Sequence, residues 1–171
     1  MRTLATVVLA ALTAAPVLAQ VEVHALPNLG YDAGYGAPSV GLGLEADWAP
    51  TGSPIAVALR PSADYVFADK IPYAVPYGAD TGDVLGREYS VLRLGAEALV
   101  HWRTAPLPVV PYAKVGLARE TERVRRPDAA FDYTTLDGVA GLGLVWGRLY
   151  VEGTHGFGDA SRNRVALGVR L

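Results

Sequence analysis

Through most of the chain apolar and polar residues alternate singly, and glycines and prolines interrupt the alternation every ten to fifteen positions or so. A period of two puts successive side chains on opposite faces of a strand, so this pattern predicts strands and argues against long helices. Eight segments carry it: 20–26, 39–48, 55–67, 89–102, 109–119, 133–146, 148–157 and 163–171. In the second, Val40, Leu42, Leu44, Ala46 and Trp48 share one face while Gly41, Gly43, Glu45 and Asp47 share the other. The first is the weakest, with only Val21, Val23 and Ala25 in phase. Pro61 and Pro111 each remove a ladder donor inside a strand, which predicts a bulge or a weakened pair there.

The connections alternate in length. Those at 49–54, 103–108 and 147 are short, and those at 27–38, 68–88, 120–132 and 158–162 are mostly longer. An even number of antiparallel strands with short turns at one end and longer loops at the other describes an all-β, eight-stranded, up-and-down transmembrane β-barrel. Simple alternation also fits a soluble barrel with the apolar faces inside. Tryptophan separates the two readings. Trp48, Trp102 and Trp146 each end an even-numbered strand on the apolar face, which places all three at one rim. An indole is apolar with one polar N–H, and such rings collect at membrane–water interfaces. Tyr65, Phe67 and Phe157 close odd-numbered strands on the same face and supply the opposite girdle.

The other faces then line a lumen. They carry Glu45, Asp47, Arg60, Asp64, Arg93, Glu97, Lys114, Asp137, Glu152, Arg164 and Arg170. Eight strands leave room only for side chains. Both signs of charge are present, so a structural ion-pair network is expected rather than an open channel of one sign. Gly41, Gly43, Gly95, Gly116, Gly141, Gly143 and Gly168 lie on the same faces and make room beside the long side chains.

Composition changes the picture in three respects. The 171 residues suit one domain and contain no cysteine, which removes disulfides, thiolate chemistry and cysteine-based metal sites. A formal charge of −2 with no basic stripe argues against nucleic acid. Hydrophobic residues make up 51%, yet no long apolar run follows the N-terminus, as expected where alternation dilutes each strand's hydrophobicity. The N-terminus itself reads as an export signal. Arg2 precedes an apolar stretch from Leu4 to Leu12, Pro16 breaks it, and Val17-Leu18-Ala19 offers a small-residue cleavage site. Residues 1–19 are thus read as a signal peptide and 20–171 as the barrel, exported to the outer membrane of a Gram-negative cell.

Several stretches carry a family resemblance: Val40-Gly-Leu-Gly-Leu-Glu-Ala-Asp47, Val110-Pro-Tyr-Ala-Lys-Val-Gly116, Asp137-Gly-Val-Ala-Gly-Leu-Gly143, Tyr150-Val-Glu-Gly-Thr-His-Gly156 and Arg164-Val-Ala-Leu-Gly-Val-Arg-Leu171. Their order resembles the outer-membrane β-barrel domain proteins known as porin family proteins, relatives of the OmpA-type small barrels. The resemblance spans nearly all of the chain after the signal and implies an outer-membrane location without a single activity. It also implies outer-membrane lipid, lipopolysaccharide and the barrel-insertion machinery as partners. Such chains usually end in an aromatic residue, whereas this one ends in Leu171.

Specific chemistry is sparse. His155 with Asp159 and Ser161 could form a lipid-modifying hydrolase site only if the loop folded back onto the strand, so an interfacial histidine is the preferred reading. His24 and His101 fall on the interior faces near the periplasmic end. A metal there would need Glu22, Glu45 or Asp47 in register, and they are read instead as hydrogen-bonded lumen histidines. Asp80 and Asp83 fall short of a calcium ligand set. Glu120 to Arg126 is a mixed-charge run outside the fifth strand, where Arg123, Arg125 and Arg126 could meet lipopolysaccharide phosphates. No catalytic, cofactor or metal residue is therefore assigned. The expected role is structural or interactive, with the long loop at 68–88 as the contact surface for a partner the sequence does not name. A lipid-modifying enzyme, a narrow pore and a soluble periplasmic ligand-binding barrel are the alternatives.

Overall fold

A computed structural model describes residues 19–50, 52–68, 88–103, 108–125, 130–158 and 162–171. The expected signal sequence at 1–19 lies, apart from its last residue, outside them, as do most of the long loop with Asp80 and Asp83, and also Arg126, Asp159 and Ser161. Eight strands run in chain order: β1 (Ala19–Asp32), β2 (Ala37–Pro50), β3 (Ile55–Val66), β4 (Glu88–Trp102), β5 (Val109–Arg125), β6 (Ala130–Trp146), β7 (Leu149–Phe157) and β8 (Arg162–Val169). Each pairs antiparallel with its neighbour in sequence, and β1 pairs with β8, so the sheet closes as an up-and-down barrel. Closure satisfies backbone donors and acceptors all round, which an open sheet cannot do at its edges. Beyond β8, Leu171 still exchanges two backbone hydrogen bonds with Ala25, at 2.9 and 3.2 Å. The start of β1 and the end of β8 therefore lie at one end of the barrel, here the terminal end; the opposite is the loop end.

Two segments read as loops are strand. β1 continues past Leu26 to Asp32, and only Ala33 to Gly36 turn. Pro27, Asn28 and Gly30 look like turn punctuation. Yet the alternation survives them, with Leu26 and Asp32 buried and Pro27, Leu29 and Tyr31 exposed. Asp32 Oδ1 accepts from the backbone N–H groups of Gly34 and Tyr35, at 3.0 and 3.1 Å, and so closes the turn. Gly36 supplies its positive φ of 62°. Similarly, β5 runs on through Glu120 to Arg125 and stays paired with β6. There Arg119, Thr121 and Arg123 point outwards while Glu120 and Glu122 point inwards. Both faces are polar, so the hydrophobic pattern vanishes although the pairing does not.

The outward faces are apolar over most of their length. Leu142, Leu136, Val23, Leu59, Val115, Leu117, Val165 and Leu167 are all more than half exposed. Trp48 is half-buried, and Trp102 and Trp146 are exposed, all three on the outer face at the terminal end. Tyr65, Phe67 and Phe157 stand on the outer face toward the loop end, and Tyr65 and Phe67 meet edge to face at 5.0 Å. Pro111 ends the β4–β5 ladder, whose last pair is His101 with Tyr112. At Pro61 the β2–β3 ladder loses two pairs, between Gly43–Ser62 and Ala46–Leu59, with the register unchanged and no bulge.

Gly147, at φ 58°, forms the tight β6–β7 connection, where a branched side chain is strained by about 1–2 kcal/mol. Gly147→Val is expected to destabilise the folded barrel by that amount in urea titrations. Gly153→Ala, in open space without positive φ, should leave the stability within about 0.5 kcal/mol.

Candidate functional site: the charged lumen

The inward faces bring charged side chains together where water is scarce, so each needs a partner. At the centre, Arg60 on β3 donates Nε and Nη2 to one oxygen of Glu45 on β2, at 3.0 and 2.5 Å. Its Nη1 donates to Glu152 on β7 at 2.6 Å. Lys114 on β5 lies 2.9 Å from Glu97 on β4 and 2.8 Å from Glu152. The Tyr112 hydroxyl donates to Glu152 at 2.7 Å. One carboxylate thus takes hydrogen bonds from β3 and from two β5 side chains. The rings of Tyr112 and Tyr150 flank the guanidinium of Arg60, 5.4 and 5.7 Å from its central carbon. They join Leu26, Ala58, Leu99 and Val145 in an apolar collar inside the barrel.

Glycines shape this layer by the volume they leave. A Cβ at Gly143 would overlap the Tyr112 ring, one at Gly168 would stand 2.5 Å from Tyr150, and one at Gly43 would press on Arg60 at 3.3 Å.

Toward the loop end, Arg164 on β8 bridges Asp64 on β3 at 2.6 Å and Asn28 on β1 at 2.7 Å. Above it, Arg93 on β4 joins Asp32 at 2.8 Å and Glu120 at 2.7 Å. Arg162 on β8 pairs with Glu120 and, at 2.8 Å, with Glu122. The Tyr35 hydroxyl, from the first turn, lies within hydrogen-bond reach of both glutamates, and Arg162 stacks over the Tyr35 ring with its central carbon 3.9 Å from the ring centre. Asp137 is half-buried beside this group. Tyr35 also packs with Ala37, Val66, Ala68 and Val91. At the terminal end, Asp47 pairs with Arg170 and, at 3.2 Å, with Arg103. Between these layers the lumen keeps cavities of about 30 and about 10 Å³, the scale of one or two waters.

All eleven charged residues chosen from the strand alternation face the lumen. Asp32, Glu120, Glu122 and Arg162 were missed because they fall in stretches read as connections. The signal that finds them is parity, since Glu120 and Glu122 continue the inward series of Tyr112, Lys114 and Ala118. Glu120 and Glu122 are therefore lumen groups and not part of an external charged loop. Arg123, from the same run, does face out, and pairs with Asp132 at 3.2 Å. Among the described residues, Nε2 of His24 and Nε2 of His101 meet no hydrogen-bond partner. His155 faces out, with Nδ1 2.9 Å from Asn163 Oδ1 and its ring edge to face with Phe157.

No protein-family model and no curated protein sequence matches the chain. Solved structures do. The N-terminal β-barrel domain of Pseudomonas aeruginosa OprF is similar with a TM-score of 0.55 at 14% identity, over 88% of this chain and 98% of that one. Ail, the attachment invasion locus protein of Yersinia pestis, gives 0.50 at 10% identity over 90% and 97%. Neisserial surface protein A gives 0.50 at 15% identity over 90% and 97%. The fold is thus that of the small, OmpA-like, eight-stranded barrels found among outer-membrane proteins.

Removing one partner of a buried charge cluster typically costs about 3–5 kcal/mol, because the others remain buried without it. Glu152→Gln is expected to destabilise the barrel by that order in urea titrations. Arg123→Gln breaks a pair that is half exposed and should cost less than about 1 kcal/mol.

Proposed function

We propose that the chain is an integral outer-membrane protein whose barrel is a closed support for its external loops. The observation that carries this reading is the inverted polarity of the barrel. Large apolar side chains stand exposed on the outside while Glu45, Asp47, Arg60 and Lys114 are buried within. In water that arrangement would expose far more contiguous apolar surface than a soluble monomer carries. In lipid it is the favourable one.

The outer face also supports a membrane boundary. Along β5 the outward residues pass from Val115 and Leu117 to Arg119, Thr121 and Arg123. Their outward partners on β6 turn polar one pair later, since Arg119 still pairs with Leu136 but Thr121 pairs with Thr134 and Arg123 with Asp132. The 17 residues of β5 reach roughly 56 Å at about 3.3 Å each, well beyond the roughly 9–11 residues a tilted spanning strand needs. The surplus lifts the β5–β6 hairpin clear of the hydrocarbon on the loop side. The terminal end then faces the periplasm and the loop end the exterior, as for an exported chain.

The lumen supports a plug rather than a conduit. Ion pairs cross it at several heights, and the two cavities between those layers each hold no more than a water or two. A free diffusion pathway for solutes has no room. Function therefore belongs to the loop end, where lipopolysaccharide phosphates and an external partner are within reach, and insertion depends on the barrel-assembly machinery.

The barrel should fractionate with outer membranes and migrate differently on gels with and without boiling. A protein freely soluble in the periplasm with no heat-dependent shift would overturn this reading. Leu142→Arg, in the apolar band, is expected to destabilise the barrel in lipid vesicles by about 2–4 kcal/mol. Thr121→Arg, above the band, should cost about 0–1 kcal/mol. Equal effects at the two positions would contradict the boundary drawn here.

A further inference from the structure

At the terminal end three buried ligand atoms converge with nothing bonded between them. Glu45 and Asp47 stand two apart on the inward face of β2, and His101 faces them from β4. His101 Nε2 lies 3.6 Å from Glu45 Oε1 and 3.6 Å from Asp47 Oδ1. The side chains of His101, Glu45 and Asp47 are 2, 1 and 2% exposed. Among the described residues, His101 Nε2, Glu45 Oε1 and Asp47 Oδ1 each lack a hydrogen-bond partner. A separation of 3.6 Å exceeds the roughly 2.7–3.2 Å of a good N–H···O bond. It is close to the edge of a tetrahedron around a metal, since ligand bonds of about 2.0–2.2 Å give edges of roughly 3.3–3.6 Å.

The remaining oxygens of the two carboxylates are already engaged. Arg60 holds Glu45 Oε2, and Arg103 and Arg170 hold Asp47 Oδ2. These contacts leave the other oxygen of each carboxylate turned toward His101. A supporting shell of this kind is what orients ligands in metal sites. Arg170 is also a competitor, because its Nη2 lies 3.3 Å from Glu45 Oε1. Its side chain is partly exposed and can turn toward the mouth. A cavity of about 220 Å³, lined by Glu22, Asp47, Ser53 and Arg103 among others, opens onto Asp47 and provides a route in.

We propose that Glu45, Asp47 and His101 bind a divalent transition-metal ion at the terminal end of the lumen, with Zn²⁺ the best match. One imidazole nitrogen with two carboxylate oxygens suits zinc, whereas magnesium and calcium favour all-oxygen sets. Water from the mouth completes four-coordination. Glu22, His24 and Asp47 form a second, more exposed group that shares Asp47 and lines the approach. The bound ion ties β2 to β4 across the intervening β3. None of this depends on the function of the loops.

The test uses the folded protein in detergent, stripped with EDTA and titrated with ZnCl₂ by calorimetry, with MgCl₂ and CaCl₂ as comparisons. One Zn²⁺ per barrel is expected, without saturable binding of the other two ions over the same range. His101→Leu should weaken Zn²⁺ by more than about tenfold, and Arg170→Gln should tighten it. His155→Gln, on the outer face, should leave it unchanged. The heat-dependent gel shift verifies that each variant is folded. Absence of saturable Zn²⁺ binding by the unaltered protein overturns the proposal. So does a folded His101→Leu that binds as well as the parent. Should His101→Leu not fold, Co²⁺ added to the unaltered protein decides. The strong visible absorption of a four-coordinate ion supports the site, and the weak spectrum of a hydrated six-coordinate ion overturns it.

Discussion

Every part of this barrel answers to the scarcity of water inside it. An ionised side chain facing the lumen loses its hydration and must recover it from opposite charge and hydrogen bonds. Glu152 shows how this is met. Arg60, Lys114 and Tyr112 converge on it from two other strands, and Arg60 in turn reaches Glu45. Such a cluster forms only when β3, β5 and β7 stand in one register around a closed circle. The charges therefore select the closed state over open or slipped sheets, whatever their net effect on stability.

The two surfaces of the sheet set opposite requirements, and the strands meet both with a single alternation. Small residues make this possible. Gly143 and Gly168 lie where any Cβ would displace Tyr112 or Tyr150, the rings that flank Arg60. Large and small inward residues interleave between neighbouring strands, so the lumen fills without forcing the circumference to widen.

The alternation was legible because its period belongs to the strand itself. Faces, strand number and the aromatic rims follow from Val40 to Trp48 and their counterparts without knowledge of the neighbours. Partnerships did not follow. That Arg60 meets Glu152 rather than Asp137 depends on register and closure, which no local pattern encodes. Strand ends were hidden for a different reason. Beyond Arg119 both faces of β5 are polar, and around Pro27 to Gly30 small polar residues imitate a turn. In each case backbone pairing continues after the hydrophobic contrast has ended. The meeting of His101 with Glu45 and Asp47 is of the same kind, since β3 separates the strands that carry them.

Asp32 does two tasks with one carboxylate. Oδ1 closes the first turn through the N–H groups of Gly34 and Tyr35, while Oδ2 holds Arg93 across the mouth. Tyr35, placed by that turn, then reaches Glu120 and Glu122 on β5. The turn is thus wired into the lumen at both ends of its four residues. A foreign peptide grafted between Ala33 and Gly36 would pull apart the ring of charges at the mouth. Anyone wishing to display an epitope on this scaffold should leave that corner intact and look to another connection.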